Sequence, residues 1–329
     1  MSQLQIARPD TASHWYLVKE DGVEAFHSVP YAGKRGKNGE RRKTTLRDAR
    51  KAGAFPSVTN ILGILHKDFL EAYKINQAIL AALTLPKMDG ELVHEFAKRV
   101  VQDSKEHAAS AARLGERIHE IGADLIQGKT LAKTEEIIEG RILDELITPL
   151  ADLISEITPS EHHTDSKFSE FYVSHPLGFA GTCDGLLFLD EGSELVREKL
   201  AKAGYESLLS DSGPKTPIIA VVDIKSRGAD TKTPLVYETD ILQLAAYLHS
   251  IPHTPGLGLK FNTHTHPVAN ILINTHQDAG TDGRWEADIV IHDKEDVDKA
   301  WDAFKHAHAL WCWVKKYNPS QNQQPTSTK

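Results

Sequence analysis

The chain has 329 residues, 46 acidic against 38 basic side chains for a formal charge of −8, and 40% hydrophobic residues. That length buries a sizeable core in one large domain or two modest ones, and the net negative charge argues against a protein that coats nucleic acid non-specifically. Cys183 and Cys312 are too few for a disulfide framework, a four-cysteine zinc site or a four-cysteine iron–sulfur cluster; with no 18-residue apolar run and no basic-then-apolar leader, the expected setting is a reducing cytoplasm away from membranes.

In chain order, residues 12–30 read as a small hairpin around Trp15–Val18. Lys34 to Lys51 carries nine basic residues against two acidic ones, a local +7 that leaves the rest of the chain at −15. With Gly33, Gly36 and Gly39 interspersed, it reads as a basic loop, either solvated or contacting phosphate through residues such as Arg41, Arg42 and Lys43. Pro56-Ser57-Val58-Thr59 precedes the periodic run Ile61, Leu62, Leu65, Phe69, a helix with a Ser or Thr cap. Helical periodicity continues through 68–84 and 90–128, the latter long enough to predict a break. From 168 the period changes to strands: FSEFYVS, GFAGTCDGLLFLD and PIIAVVDIK, with a helical excursion at 191–215. A helix over 237–250, strands VANILINTH and EADIVIHD, and a closing helix over 294–317 complete the pattern. The expected fold is α/β (α+β), a central mixed sheet flanked by helices with an N-terminal helical extension. The expected divisions are a hairpin and basic loop at 1–54, a helical cap at 55–165, an α/β core at 166–318 and a polar tail without fixed structure at 319–329.

The strongest local signal is Val221-Val222-Asp223-Ile224-Lys225, where four apolar residues lead into a carboxylate and an ammonium that share a strand face. A cation-binding carboxylate beside a lysine that orients water or offsets phosphate charge is what metal-assisted phosphodiester hydrolysis requires. Taken alone, D-x-K is also the pattern of a strand-end ion pair. Asp184 sits in Gly181-Thr182-Cys183-Asp184-Gly185, an acidic residue inside an apolar strand, costly unless paired or metal-bound. Glu170, in the alternating run Phe168–Val173, supplies a third carboxylate. An oxygen-rich set of this kind favours Mg²⁺ or Mn²⁺ over zinc. Gly115 and His119 share a helical face, as do Gln243 and Tyr247.

The order G-x-x-x-H, E, G-T-x-D, D-x-K and Q-x-x-x-Y resembles the RecB-like branch of the PD-(D/E)XK nucleases. The Pro56-Ser57-Val58-Thr59 opening and the spacing are similar to the mitochondrial genome maintenance exonuclease group and its phage and bacterial relatives, over roughly residues 55–250. The resemblance implies a PD-(D/E)XK core whose metal-binding carboxylates are Asp184 and Asp223, with the Ile224 carbonyl completing the Mg²⁺ or Mn²⁺ site. It implies that Lys225 positions the attacking water and stabilises the phosphorane, and that Glu170 and His119 are auxiliary ligands. Gln243, Tyr247 and Gly115 belong to helices that hold the sheet end and the DNA strand, and Ser226-Arg227 to a phosphate contact. Two cysteines exclude the iron–sulfur members of the family.

The function expected is a metal-dependent DNA exonuclease in replication, recombination or repair, acting on single strands or strand ends and leaving a 5′-phosphate. Its partners would be DNA and other replication or recombination proteins. Two other readings are a duplex-processing recombination exonuclease of the phage lambda type and a catalytically silent DNA-binding scaffold of the same fold. His162-His163 and His264-x-His266 with His276 lack the fixed spacing of a zinc site. Trp301, Phe304, Trp311, Trp313 and Tyr317 have the spacing of core packing rather than base stacking. There is no P-loop, and Cys183 is expected to be buried.

Overall fold

The computed structural model describes residues 14–31, 40–65, 68–130, 136–138, 141–159, 164–209, 218–228, 230–259 and 261–320. The histidine pair 162–163, the glycine-rich stretch 34–39 and the tail from 321 lie outside them.

The expected N-terminal hairpin is strands β1 (Trp15–Lys19) and β2 (Gly22–Ala25), paired antiparallel. The segment read as a basic loop is instead ordered beyond residue 40: β3 (Ser28–Pro30) pairs with β4 (Arg41–Lys43), and α1 (Leu46–Ala52) follows at once. Local polar chemistry explains the difference. Thr45 caps α1 in a reciprocal box with Asp48, and Asp48 also takes both terminal nitrogens of Arg42, at 2.6 and 2.9 Å.

β5 (Phe55–Pro56) joins β1, and Ser57 caps α2 (Val58–Leu62) by accepting from the Asn60 N–H at 3.0 Å. The helix expected to run on to Phe69 stops at Gly63, and α3 (Asp68–Thr84) is a separate element. The break expected within 90–128 does not occur. α4 (Val93–Ile126) is continuous for 34 residues, about 51 Å at the α-helical rise. It packs against α3, and Arg99 closes the α3–α4 connection by gripping Glu91 twice and the Pro86 carbonyl.

A short pair, β6 (Ile137–Ile138) and β7 (Arg141–Ile142), leads into α5 (Leu143–Ile157). Then come β8 (Ser169–His175), β9 (Phe179–Leu189), α6 (Glu194–Lys202), β10 (Ile218–Arg227), α7 (Glu238–Ser250), β11 (Val268–Asn274), β12 (Ala287–Ile291) and α8 (Lys294–Lys315). Five strands form one mixed sheet in the order β12-β11-β10-β9-β8, in which only β10 and β11 run parallel.

Each face of the sheet is covered by helices, as expected for strands whose residues are apolar on both sides. On one face α2, α7 and α8 close over Val173, Phe179, Cys183 and Val221. On the other, α5 contributes Leu143, Leu146, Ile147, Leu150, Leu153, Ile154 and Ile157, a continuous helical stripe, and the second half of α4 adds Leu114, Ile118, Ile121 and Ile126. Residues 55–165 thus supply both the packed pair α3–α4 and a layer of the core of the sheet. Phe304, Trp311 and Tyr317 are buried as the helical spacing predicts, but Trp313 is 77% exposed. Among the described residues, no helix is long and apolar enough to cross a membrane.

Candidate active site

The site forms where β9 and β10 part. Their ladder ends at the pair Val222–Gly185, so the next backbone donor on β10, the Ile224 N–H, has no strand partner on that side. The Asp184 carboxylate takes that place, accepting from Ile224 N at 2.7 Å through Oδ2. The strands change face at this point. Phe171 and Cys183 pack beneath α7 and α8, whereas Ser169 bonds the Ala123 carbonyl of α4 and Gly185 lies against Ile126. Glu170, between the Ser169–Gly185 and Phe171–Cys183 pairs of the β8–β9 ladder, takes a left-handed φ of 51°, a conformation few residues other than glycine adopt.

Two helices approach closely because glycines admit them. α4 crosses β10 with Gly115, His119 and Gly122 turned inward. A Cβ on Gly115 would stand 3.4 Å from the Ser226 hydroxyl, and one on Gly122 only 2.3 Å from Ile224 Cδ1. His119 lies between them and places Nδ1 3.1 Å from Asp184 Oδ2. On the opposite face, the Tyr247 ring of α7 closes against Gly181, where a Cβ would be 2.6 Å from Cε1. Gln243, one turn earlier, donates to both Tyr247 Oη at 2.9 Å and Asp223 Oδ1 at 3.1 Å.

Asp223 is the centre of the network. It is fully buried and accepts at Oδ1 from Lys225 Nζ at 2.7 Å as well as from Gln243. At Oδ2 it accepts from Asn270 Nδ2 at 2.9 Å, and Asn270 in turn meets His292 Nε2 at 2.7 Å. Burial, reinforced by the neighbouring Asp184, pushes the Asp223 carboxyl up to about 6 even though Lys225 pulls it down. Burial likewise opposes ionisation of Asp184, but the hydrogen bond and charge of His119 outweigh it and hold Asp184 below the usual carboxylate range. For His119 and Lys225, burial disfavours the cation, and the two aspartates overcome it so that both are held above their ordinary values. The buried Asp223 and the half-buried Asp184 therefore face two half-buried basic groups, His119 and Lys225.

Asp184, Asp223, Lys225, His119, Gln243 and the Ile224 backbone are brought together, and Gly115 and Ser226 flank them. Other expected residues fall elsewhere. Glu170 is exposed and outside the network, because its left-handed backbone turns at the point where the strands change face. Tyr247 is 3% exposed; it orients Gln243 rather than offering a surface to DNA. Arg227 is engaged within the protein: its guanidinium pairs with Asp240 at 2.5 Å, donates to the Leu235 carbonyl and stacks on Tyr237. Arg41 bonds Ser28 and Arg42 bonds Asp48, with Arg41 and Lys43 exposed and Arg42 half-buried.

Asn270 and His292 were missed, although the sequence held a signal. Asn270 interrupts the apolar run Val268-Ala269-Asn270-Ile271-Leu272-Ile273, and a buried amide must be hydrogen-bonded to something.

Among the described residues, no group of three His, Cys, Asp or Glu side chains is arranged to hold a metal. The donors nonetheless suit Mg²⁺ or Mn²⁺. Such ions use one or two protein carboxylates and take their remaining ligands from water and phosphate, and the Asp184–Asp223 pair supplies hard oxygen donors, one buried and one reached by solvent. Cys183 is fully buried and burial pushes its thiol well up, which removes it as a nucleophile. No family model matches the chain, and a comparison with curated proteins returns no match.

Proposed function

We propose that this protein is a divalent-metal-dependent DNA exonuclease with a PD-(D/E)XK core, acting on single strands or strand ends. The observation that carries the reading is the convergence of Asp184, Asp223 and Lys225 at the fork between β9 and β10, with His119 and Gln243 fixing the two carboxylates from opposite faces of the sheet. A buried network of charged groups at a strand end is expensive to maintain for stability alone, and perturbed titrating groups gathered in this way characterise reactive sites.

A bound Mg²⁺ or Mn²⁺ would be held by Asp184 and Asp223 and would supply Lewis acidity toward a phosphate oxygen and a more acidic water. The chain's own contribution is positioning and charge. Lys225, held as the ammonium by the two aspartates, acts as a donor rather than a base. Its Nζ–H groups can orient a water for in-line attack at phosphorus and stabilise negative charge on the equatorial oxygens. Attack of the water oxygen and departure of the 3′ oxygen leave a 5′-phosphate and a 3′-hydroxyl. Gln243 keeps Asp223 Oδ1 in place while Lys225 exchanges partners between carboxylate and phosphate.

The test is degradation of end-labelled single-stranded, linear duplex and circular DNA with Mg²⁺, Mn²⁺ or EDTA. Metal-dependent loss of linear single strands, abolished in Asp223→Ala and Lys225→Ala, is expected. Equal rates for these variants and the wild type would sink the proposal.

A further inference from the structure

Asn270 stands in the middle of β11, every residue of which is buried. Its amide is fully occupied. Nδ2 donates to Asp223 Oδ2 at 2.9 Å and approaches the Asp223 carbonyl at 3.3 Å, while Oδ1 meets His292 Nε2 at 2.7 Å. The parallel register sets Asn270 directly beside Asp223, so the contact follows from the strand pairing. Atom assignments follow from donor and acceptor counting. A carboxylate only accepts, so the amide nitrogen must face Asp223, the amide oxygen must face His292, and the proton of the imidazole must sit on Nε2. His292 is itself anchored, its backbone N–H donating to the Val268 carbonyl at 3.0 Å, and burial holds the ring down at about 4, so at neutral pH the donor is the Nε2–H tautomer of the neutral imidazole.

We infer that Asn270, oriented by His292, is a positioning residue that clamps Asp223 Oδ2 and fixes the rotation of the carboxylate, so that Oδ1 is presented to Lys225 and to a divalent cation. This rests on the reading of Asp223 as a metal-holding carboxylate. The line His292 to Asn270 to Asp223 has the form of an outer shell that sets the orientation of a ligand. An aliphatic residue at 270 would pack as its neighbours do but would leave Oδ2 buried without a donor and the carboxylate free to turn. Gln243 and Lys225 both bond Oδ1, so they cannot substitute for the lost contact at Oδ2.

The full chain is titrated with Mn²⁺ alone, without DNA, by calorimetry, and its unfolding is followed separately in EDTA. Asn270→Ala is expected to weaken Mn²⁺ binding by ~10-fold or more, the scale for loss of an outer-shell partner. His292→Phe should weaken it by a smaller factor, and His292→Gln, which retains an N–H donor, should recover most of that loss. A purely structural role would lower the unfolding midpoint while leaving the affinity of the folded protein unchanged. If Asp223→Ala abolishes Mn²⁺ binding but Asn270→Ala binds within twofold of the wild type, the positioning role is wrong and the nuclease reading stands. If wild type and Asp223→Ala bind Mn²⁺ alike, both fail. Should Asn270→Ala not fold, His292→Phe decides: an affinity equal to the wild type's overturns the inference.

Discussion

Replacing Lys225 by Met removes one cation from beside the buried Asp223 carboxylate and the half-buried Asp184, and the structure bounds the consequence. Lys225 Nζ lies 2.7 Å from Asp223 Oδ1, and the two side chains are 19% and 1% exposed. Without Lys225 the Asp223 carboxyl has an escape, which is to bind a proton and remain neutral. That limits the penalty to the work of protonating a group whose ordinary value is 3.8, on the order of 6 kcal/mol at pH 8. The wild type already bears part of this. With the folded value raised to about 6, its Asp223 costs about 3 kcal/mol at pH 8 by the same conversion.

The sign follows from linkage. A carboxyl raised on folding binds more protons in the folded state, so its contribution worsens as pH rises through 4 to 6. The variant should therefore lose about 2–3 kcal/mol relative to wild type at pH 8 and under about 1 kcal/mol at pH 5, where Asp223 is largely protonated in both proteins. Urea unfolding of both proteins in EDTA at the two pH values measures the difference. A loss of the same size at pH 5 and pH 8 would refute the claim that Lys225 serves to keep Asp223 ionised.

Three other outcomes are expected. Gly181→Ala drives a methyl into the Tyr247 ring, 2.6 Å away and itself buried; overpacking should cost ~1–3 kcal/mol and lower nuclease activity further by displacing Gln243, as thermal melts and rate assays would show. Arg227→Gln breaks the buried pair with Asp240, whose carboxylate also caps α7 through the Tyr237 N–H; a loss of roughly 3 kcal/mol is expected with DNA affinity unchanged, whereas weaker DNA binding at full stability would show that the arginine reaches phosphate after all. Near Trp301, burial pushes His175 down to about 3 and His249 and His308 down to about 4. Their folded values lie below the unfolded 6.5, so the unfolded chain takes up protons first and stability falls as pH drops from about 6.5 toward 4. Urea midpoints between pH 7 and 4.5 would expose a flat profile, which would contradict this burial.

Much of the site was legible because strands and helices impose fixed periods. Asp223 and Lys225 had to emerge together, being two apart on a strand, and Gln243 and Tyr247 had to share a face of α7. The order of elements from β8 to α8 followed from the change of period at residue 168. What was misread depended on partners distant in sequence. Arg227 and Tyr247 looked available to DNA, yet Asp240 and the close approach to Gly181 had already engaged them. Glu170 matched the alternation of a strand, but the strands change face at that residue and turn it outward. The basic stretch from 41 onward is ordered by the cap of α1, a local contact that composition alone obscured.

The sequence by itself determined the hydrophobic periods, and with them a helix-covered mixed sheet carrying carboxylates and a lysine at one strand end. Only the tertiary structure decided which polar groups meet. The pairing of β10 with β11 set Asn270 beside Asp223, and the parting of β9 from β10 left the Ile224 N–H to be satisfied by Asp184. Hydrogen bonds between strands depend on register, and register is settled by how the whole sheet packs rather than by any one segment.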